Sequence, residues 1–276
     1  MPYVQTNDIR TYYESFGTGR PLVLIGGSVF GRRNWAMAWE AFAREFEVIS
    51  YDQRGYGRSD RPLERYTMEV WVDDIAALLD ALEIGRAHIA GTSMGAMVAL
   101  AFAAKYPERC LGVVSDCPLV KPDRARKLMF ETWRRMATTL GCGDTLADHI
   151  VVQAVSADLL DSDRADAVIA NVRAMITQNS VETVVQACLM MEELDLVADI
   201  PRIEADTLVI ASTQDVITPI ETAKSGAGSG FLKRTLKRCH FHVNEDCGHA
   251  DLLEKKDQTI PMIVEHLKKS EAQEKA

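Results

Sequence analysis

The chain has 276 residues, 47% of them hydrophobic, enough for a large buried core and too many for a disordered chain. Lys and Arg number 31 against 40 Asp and Glu, and the resulting charge of −9 repels nucleic acid without limiting a small-molecule substrate. No apolar run approaches a bilayer span, and residues 1–8 lack the basic-then-apolar pattern of a secretory signal. A cytoplasmic protein with no membrane partner is therefore expected. Six cysteines, at 110, 117, 142, 188, 239 and 247, form no CxxC pair and read as free thiols of a reducing compartment.

In chain order, Tyr3 to Thr6 reads as a short strand, Asn7-Asp8 as a turn, and Ile9 to Phe16 as a second strand. Gly17-Thr18-Gly19 turns the chain into Leu22–Ile25, an apolar run suited to a strand buried on both faces. Short strands and helices then alternate. A helix is expected over Trp35–Phe46, a strand over Val48–Tyr51, and an amphipathic helix over Met68–Leu82. Ala87–Ala90 reads as a strand, Met94–Tyr106 as a helix and Leu111–Ser115 as a strand. That alternation argues for a parallel sheet of βαβ units.

From Val120 to Leu196 the periodicity is helical throughout. Arg124–Leu140, Leu146–Leu159 and Arg164–Leu194, the last broken near Asn179-Ser180, are the expected helices. Strands return at Thr207–Ala211 and Phe241–Glu245. A helix over Asp257–Lys268 closes the fold, and the polar residues 270–276 are expected to fray. The helical block reads as an insertion between two halves of one sheet.

The sharpest chemical signal is Gly91-Thr92-Ser93-Met94-Gly95, at the junction of an expected strand and helix. A serine on such a turn has its Oγ pushed out above the sheet, and glycines flank it because a Cβ at either place would clash. The turn also aims the Met94 amide at a developing oxyanion. A serine nucleophile needs a base, and the base an orienting acid. His249, in Cys247-Gly248-His249 after the last strand, is the expected base. His88 reads as a core residue, and His149 and His266 as solvated helix residues. His240 and His242 share one strand face and read as a surface pair lacking a third metal ligand. Asp215, after the strand Thr207–Ala211, has the expected chain order for the acid; Asp116, just past Leu111–Ser115, is the rival.

Several blocks resemble the α/β-hydrolase superfamily over nearly the whole chain. They are Leu22–Trp35, the D-x-R-G-x-G-x-S run within Tyr51–Asp60, the Ser93 turn, Leu208–Pro219 and Gly248-His249. The sequence is similar to the bacterial branch that holds 3-oxoadipate enol-lactonases, cofactor-free perhydrolases and meta-cleavage C–C hydrolases. The resemblance implies a mostly parallel eight-stranded sheet flanked by helices. Residues 1–119 and 199–276 would form the core and 120–198 a helical cap. It also implies a second oxyanion amide from Ser28, no cofactor and no metal. One block departs: Gly26 stands where the family usually has histidine, which leaves the geometry of the Gly26–Ser28 loop open.

Expected substrate contacts are Gly27, Arg32 and the cap residue Trp133. Further apolar cap residues, among them Leu128, Met129, Met136, Val152, Met190 and Met191, are candidates for a pocket lining. The implied activity is hydrolysis of a carboxylic ester or lactone of a small apolar or aromatic-derived acid through an acyl-enzyme on Ser93. C–C bond hydrolysis of a β-diketone is the alternative. A cofactor-free oxygenase, or a ligand-binding receptor on the same fold, is a further one.

Overall fold

Fully buried apolar strands set the centre of the sheet in the computed structural model, which describes residues 2–274. β5 (Ala87–Thr92), β6 (Cys110–Asp116) and β7 (Thr207–Ser212) have no exposed residue, and β3 (Arg20–Ile25) is buried from Leu22 onward. Such strands require helices on both faces. β1 (Tyr3–Thr6), β2 (Ile9–Phe16), β4 (Phe46–Tyr51) and β8 (Cys239–Asn244) complete the sheet. Among the described residues its order is β1-β2-β4-β3-β5-β6-β7-β8. β1 pairs antiparallel with β2, and β2 with β4; every other pair is parallel.

The first helices are α1 (Trp39–Ala43), α2 (Met68–Ala81) and α3 (Met94–Lys105). Between β6 and β7 run α4 (Arg124–Leu140), α5 (Asp144–Ala154), α6 (Ala157–Leu160), α7 (Ala165–Ile176) and α8 (Val181–Glu193). α9 (Ser229–Thr235), α10 (Asp251–Glu254) and α11 (Lys256–Glu274) follow β7 and β8. Side-chain caps explain several starts: Thr67 accepts from the Val70 amide, Asp123 from Arg126 and Ser180 from Thr183. One apolar cluster runs without a break from Ile25 and Met97 to Phe130, Trp133 and Met191, so the inserted helices share the core of the sheet.

Some expectations need correction. The helix expected over Trp35–Phe46 is only a helical turn at Arg32–Trp35 followed by the short α1. The Trp35 indole donates to the Ile25 carbonyl, and Phe46 is drawn into β4 by pairing with Arg20. The expected Leu146–Leu159 helix is two, α5 and α6, because Ser156 caps a new start. α9 is a helix where the sequence pattern predicts none. Residues 270–274 belong to α11 rather than to a frayed tail, and 275–276 lie outside the described residues. His266 is buried at 7% exposure and His149 is half-buried, so neither is a solvated helix residue. All six cysteines are free thiols, four of them buried. Among the described residues no helix is long and apolar enough to cross a membrane.

Candidate active site

Ser93 lies between the end of β5 and the start of α3 with φ 55° and ψ −122°, a conformation that L-residues rarely adopt. The flanking glycines make that turn possible. A Cβ on Gly91 would sit 2.0 Å from the Gly95 carbonyl oxygen, and one on Gly95 would sit 2.3 Å from that of Ile25. The turn therefore packs directly against β3 and the loop that follows it. Ser93 is held from below by its amide, which donates to the Asp116 carbonyl (2.8 Å).

His249 and Asp215 meet as the chain order requires. His249 Nδ1 donates to Asp215 Oδ2 at 2.7 Å, and both residues are buried. The other carboxylate oxygen, Oδ1, accepts from the amides of Ile217 and Thr218, both at 2.8 Å. The Thr218 hydroxyl donates to Oδ2 (2.7 Å) and lies 2.9 Å from the Cys117 carbonyl. For Asp215, burial works to raise the pKa. The charge and hydrogen bond of His249 and the Thr218 donors outweigh it, and the carboxyl stays below its usual range. For His249, burial favours the neutral ring, but the Asp215 carboxylate wins and raises the imidazole above its ordinary value.

Ser93 and His249 line one cavity of about 290 Å³. Phe30 and Asn34 close it from the loop after β3, and Asn171, Ala174 and Met175 from α7. A larger cavity, about 500 Å³ between α2 and the end of α8, holds none of these groups.

The loop that follows β3 is well held despite Gly26. Gly27 and Gly31 form a β-bridge, with the Gly31 amide donating to the Gly27 carbonyl (3.1 Å). Asn34 Oδ1 accepts from the Gly27 amide (2.8 Å), and the Tyr56 hydroxyl donates to the Ser28 carbonyl (2.6 Å). Asn179, at the break between α7 and α8, donates to the Val29 carbonyl (2.6 Å). Among the described residues, neither the Ser28 nor the Met94 amide donates a hydrogen bond within the chain. Both are thus available to an outside acceptor.

The expected substrate contacts fare unevenly. Gly27 borders Ser93: a Cβ there would lie 3.4 Å from the serine Cβ. Arg32 is instead clamped by Glu14 (2.7 Å) and Asp52 (3.1 Å), over the rings of Tyr12 and Trp39. Trp133 is buried against Phe130 and donates to Gln153 Oε1, away from the Ser93 cavity. Leu128 and Val152 are exposed, and Met190 and Met191 are packed in the core. Asp116, the rival acid, is fully buried at the end of β6, but the carboxylate bonded to His249 is that of Asp215, and the neighbour of Asp116 is Asp251. Burial, and then the charge of Asp251, push the Asp116 carboxyl far above its usual range. Thr218, Asn34, Tyr56 and Asn179 were not anticipated. Of these only Thr218 had a local signal, three residues after Asp215 in the spacing by which an Asp side chain accepts from the following amides.

A sheet of this order, with a serine on a strained strand–helix turn beside a buried His–Asp pair, is the framework of a hydrolase. The family model for the alpha/beta hydrolase fold matches residues 20–256, and the chain belongs to that family. Among solved structures, the enol-lactonase from Burkholderia xenovorans LB400 superposes with a TM-score of 0.87 at 25% identity, covering 97% of this chain and 100% of that one. A thermophilic esterase from Thermogutta terrifontis gives 0.85 at 29% identity, with 98% of each chain covered. The 2-hydroxymuconate semialdehyde hydrolase of Pseudomonas sp. (strain CF600) is 42% identical over 105 residues. That match spans 37% of either chain, so the chain covers little more than a third of that relative's length.

Proposed function

We propose that the protein is a serine hydrolase that cleaves a carboxylic ester or lactone of a small apolar or aromatic-derived acid. The observation that carries this reading is Ser93 on its strained turn, facing the cavity that also exposes a His249 ring anchored to Asp215. His249 Nε2 takes the Ser93 proton as Oγ attacks the substrate carbonyl, and Asp215 stabilises the imidazolium. The amides of Ser28 and Met94 hold the oxyanion. The leaving oxygen departs with the proton from His249, and an acyl-enzyme remains. Water, deprotonated by His249, then releases the acid and restores Ser93.

A cavity near 290 Å³ lies at the lower limit for small-molecule pockets and suits a small acid. Residues 120–198 act as a cap on a core of 1–119 and 199–276: α7 supplies cavity wall, and Asn179 bonds to the loop that carries Ser28. The enol-lactonase and esterase relatives support ester or lactone chemistry. Turnover of a p-nitrophenyl ester, its loss in Ser93→Ala, and labelling of Ser93 by a fluorophosphonate are the test. Absence of labelling in the folded protein refutes the covalent mechanism. The semialdehyde hydrolase relative favours a second reading, C–C hydrolysis of a vinylogous β-diketone by the same three side chains. Preference for a ring-cleavage diketone over esters and lactones in a substrate screen would select it.

A further inference from the structure

The opposite edge of the sheet carries a cluster for which the proposed chemistry has no use. Asp206 stands directly before β7, His240 is the second residue of β8, and His266 comes from α11. Asp206 and His266 are buried, while His240 is exposed. One nitrogen of each imidazole and one Asp206 carboxylate oxygen all lie within 4.8 Å of one another. His240 Nε2 is 3.0 Å from Asp206 Oδ1, and the two rings are edge-on with centroids 5.2 Å apart. His266 Nε2 lies 3.4 Å from the Asp206 backbone carbonyl, which keeps its ring beside the carboxylate. Ser270 Oγ is 3.5 Å from Asp206 Oδ2, and Arg238 reaches it only at 4.0 Å.

We propose that Asp206, His240 and His266 form a binding site for a zinc-class divalent cation. Ligand atoms at about 2.0–2.2 Å from Zn²⁺ lie roughly 3–3.6 Å from one another in a tetrahedron, so the three groups need shift by about 1 Å at most. A cavity of about 230 Å³, lined by all three, leaves room for water as the fourth ligand. Two imidazoles and one carboxylate suit Zn²⁺, Co²⁺, Ni²⁺ or Cu²⁺, whereas Mg²⁺ and Ca²⁺ require oxygen donors.

The site joins three segments that are remote in sequence: the lead-in to β7, the start of β8 and α11. A bound ion therefore ties the last helix to the sheet edge. Asp215 and His249 follow the far ends of the same two strands. Six residues at 3.3 Å place them about 20 Å away. The ion acts on the stability of this edge rather than on the Ser93 chemistry.

The test uses the untagged full chain after chelator treatment and dialysis, titrated with Co²⁺ and followed by visible d–d absorption. One equivalent of Co²⁺ should give the intense band of four-coordinate cobalt, and Zn²⁺ should displace it. Zn²⁺ at 100-fold over its Kd should raise Tm by about 5 °C, and Mg²⁺ should not. His240→Ala removes an exposed ring and should fold, yet lose both the band and the Tm rise. Asp206→Asn, nearly isosteric, checks the buried side in the same way. Absence of a band, a band that survives both variants, or an equal response to Mg²⁺ overturns the proposal.

Discussion

Gly26 is where the chain parts from its family's usual histidine, and replacing it probes how the Ser28 amide is held. A Cβ on Gly26 would sit 1.9 Å from the Gly31 carbonyl oxygen and 2.1 Å from its carbon. Normal carbon contacts begin about 1.5 Å further out, so the Gly27–Gly31 turn must move as a unit in Gly26→Ala. Overpacking of that kind costs about 1–3 kcal/mol, and at about 2–4 °C per kcal/mol the Tm should fall by roughly 2–12 °C. The turn carries the Ser28 amide, which the proposed mechanism uses as an oxyanion donor, and the loss of one such donor should lower turnover about 10²–10³-fold. The assay is kcat for a p-nitrophenyl ester, with circular dichroism to show that the variant is folded. Gly26→His should do worse, since the ring adds bulk where even a methyl has no room. In this chain the Asn34, Tyr56 and Asn179 contacts hold the loop instead. A Gly26→Ala protein with wild-type turnover and Tm would refute the reasoning.

Three further substitutions probe the site. Thr218→Val removes a buried hydroxyl bonded to the Asp215 carboxylate (2.7 Å), and urea unfolding should show a loss of about 1.5–3 kcal/mol that Thr218→Ser restores. Because Asp215 raises the pKa of His249 above the ordinary 6.5 and a general base must be neutral, kcat/KM should climb with pH through an ionisation above 6.5. Asp215→Asn should move that limb to lower pH and cut kcat by about 10⁴-fold; a wild-type limb at or below 6.5 contradicts the assignment. Asp116, raised far above the usual 3.8, keeps a proton that the unfolded chain releases, so native stability falls as pH rises from 3.8 toward the folded value. Asp116→Asn does not titrate. Its advantage in unfolding free energy should grow as pH rises above 4, by up to about 1.4 kcal/mol per pH unit, and a difference independent of pH would show that the fold does not raise the Asp116 carboxyl.

What could be read from the sequence is what short stretches of chain decide alone. α4 spans Arg124–Leu140 as expected because its periodicity is bounded by the Asp123 cap and Gly141, whose φ is 77°. The break at Asn179-Ser180 shows because Ser180 caps α8. Gly91-Thr92-Ser93-Met94-Gly95 is legible because the strain and the close approaches that need glycine lie within the five residues and one neighbouring strand. Side chains fixed by distant partners were not legible. Arg32 reads as a substrate contact, but Glu14 on β2 and Asp52 just past β4 claim it. Trp133 looks like a pocket residue, but its indole is satisfied by Gln153 on α5.

The same distinction explains why the His240 cluster escaped a reading by spacing. The two-residue spacing of His240 and His242 on one strand suggests a pair, yet His242 bonds to Asn244, and the partners of His240 are 34 residues earlier and 26 later. Register decides the outcome. β7 and β8 pair in parallel with Leu208 opposite His240, so Asp206, two residues before Leu208, lies on the same face and diagonally from His240 at the lower end of the strands. α11 then lays His266 across them. The parallel register that brings Asp215 and His249 together at one end of these strands thus brings a second carboxylate and imidazole together at the other. The two ends differ in what faces them: above, the half-buried Ser93 turn that follows β5, and below, a second imidazole.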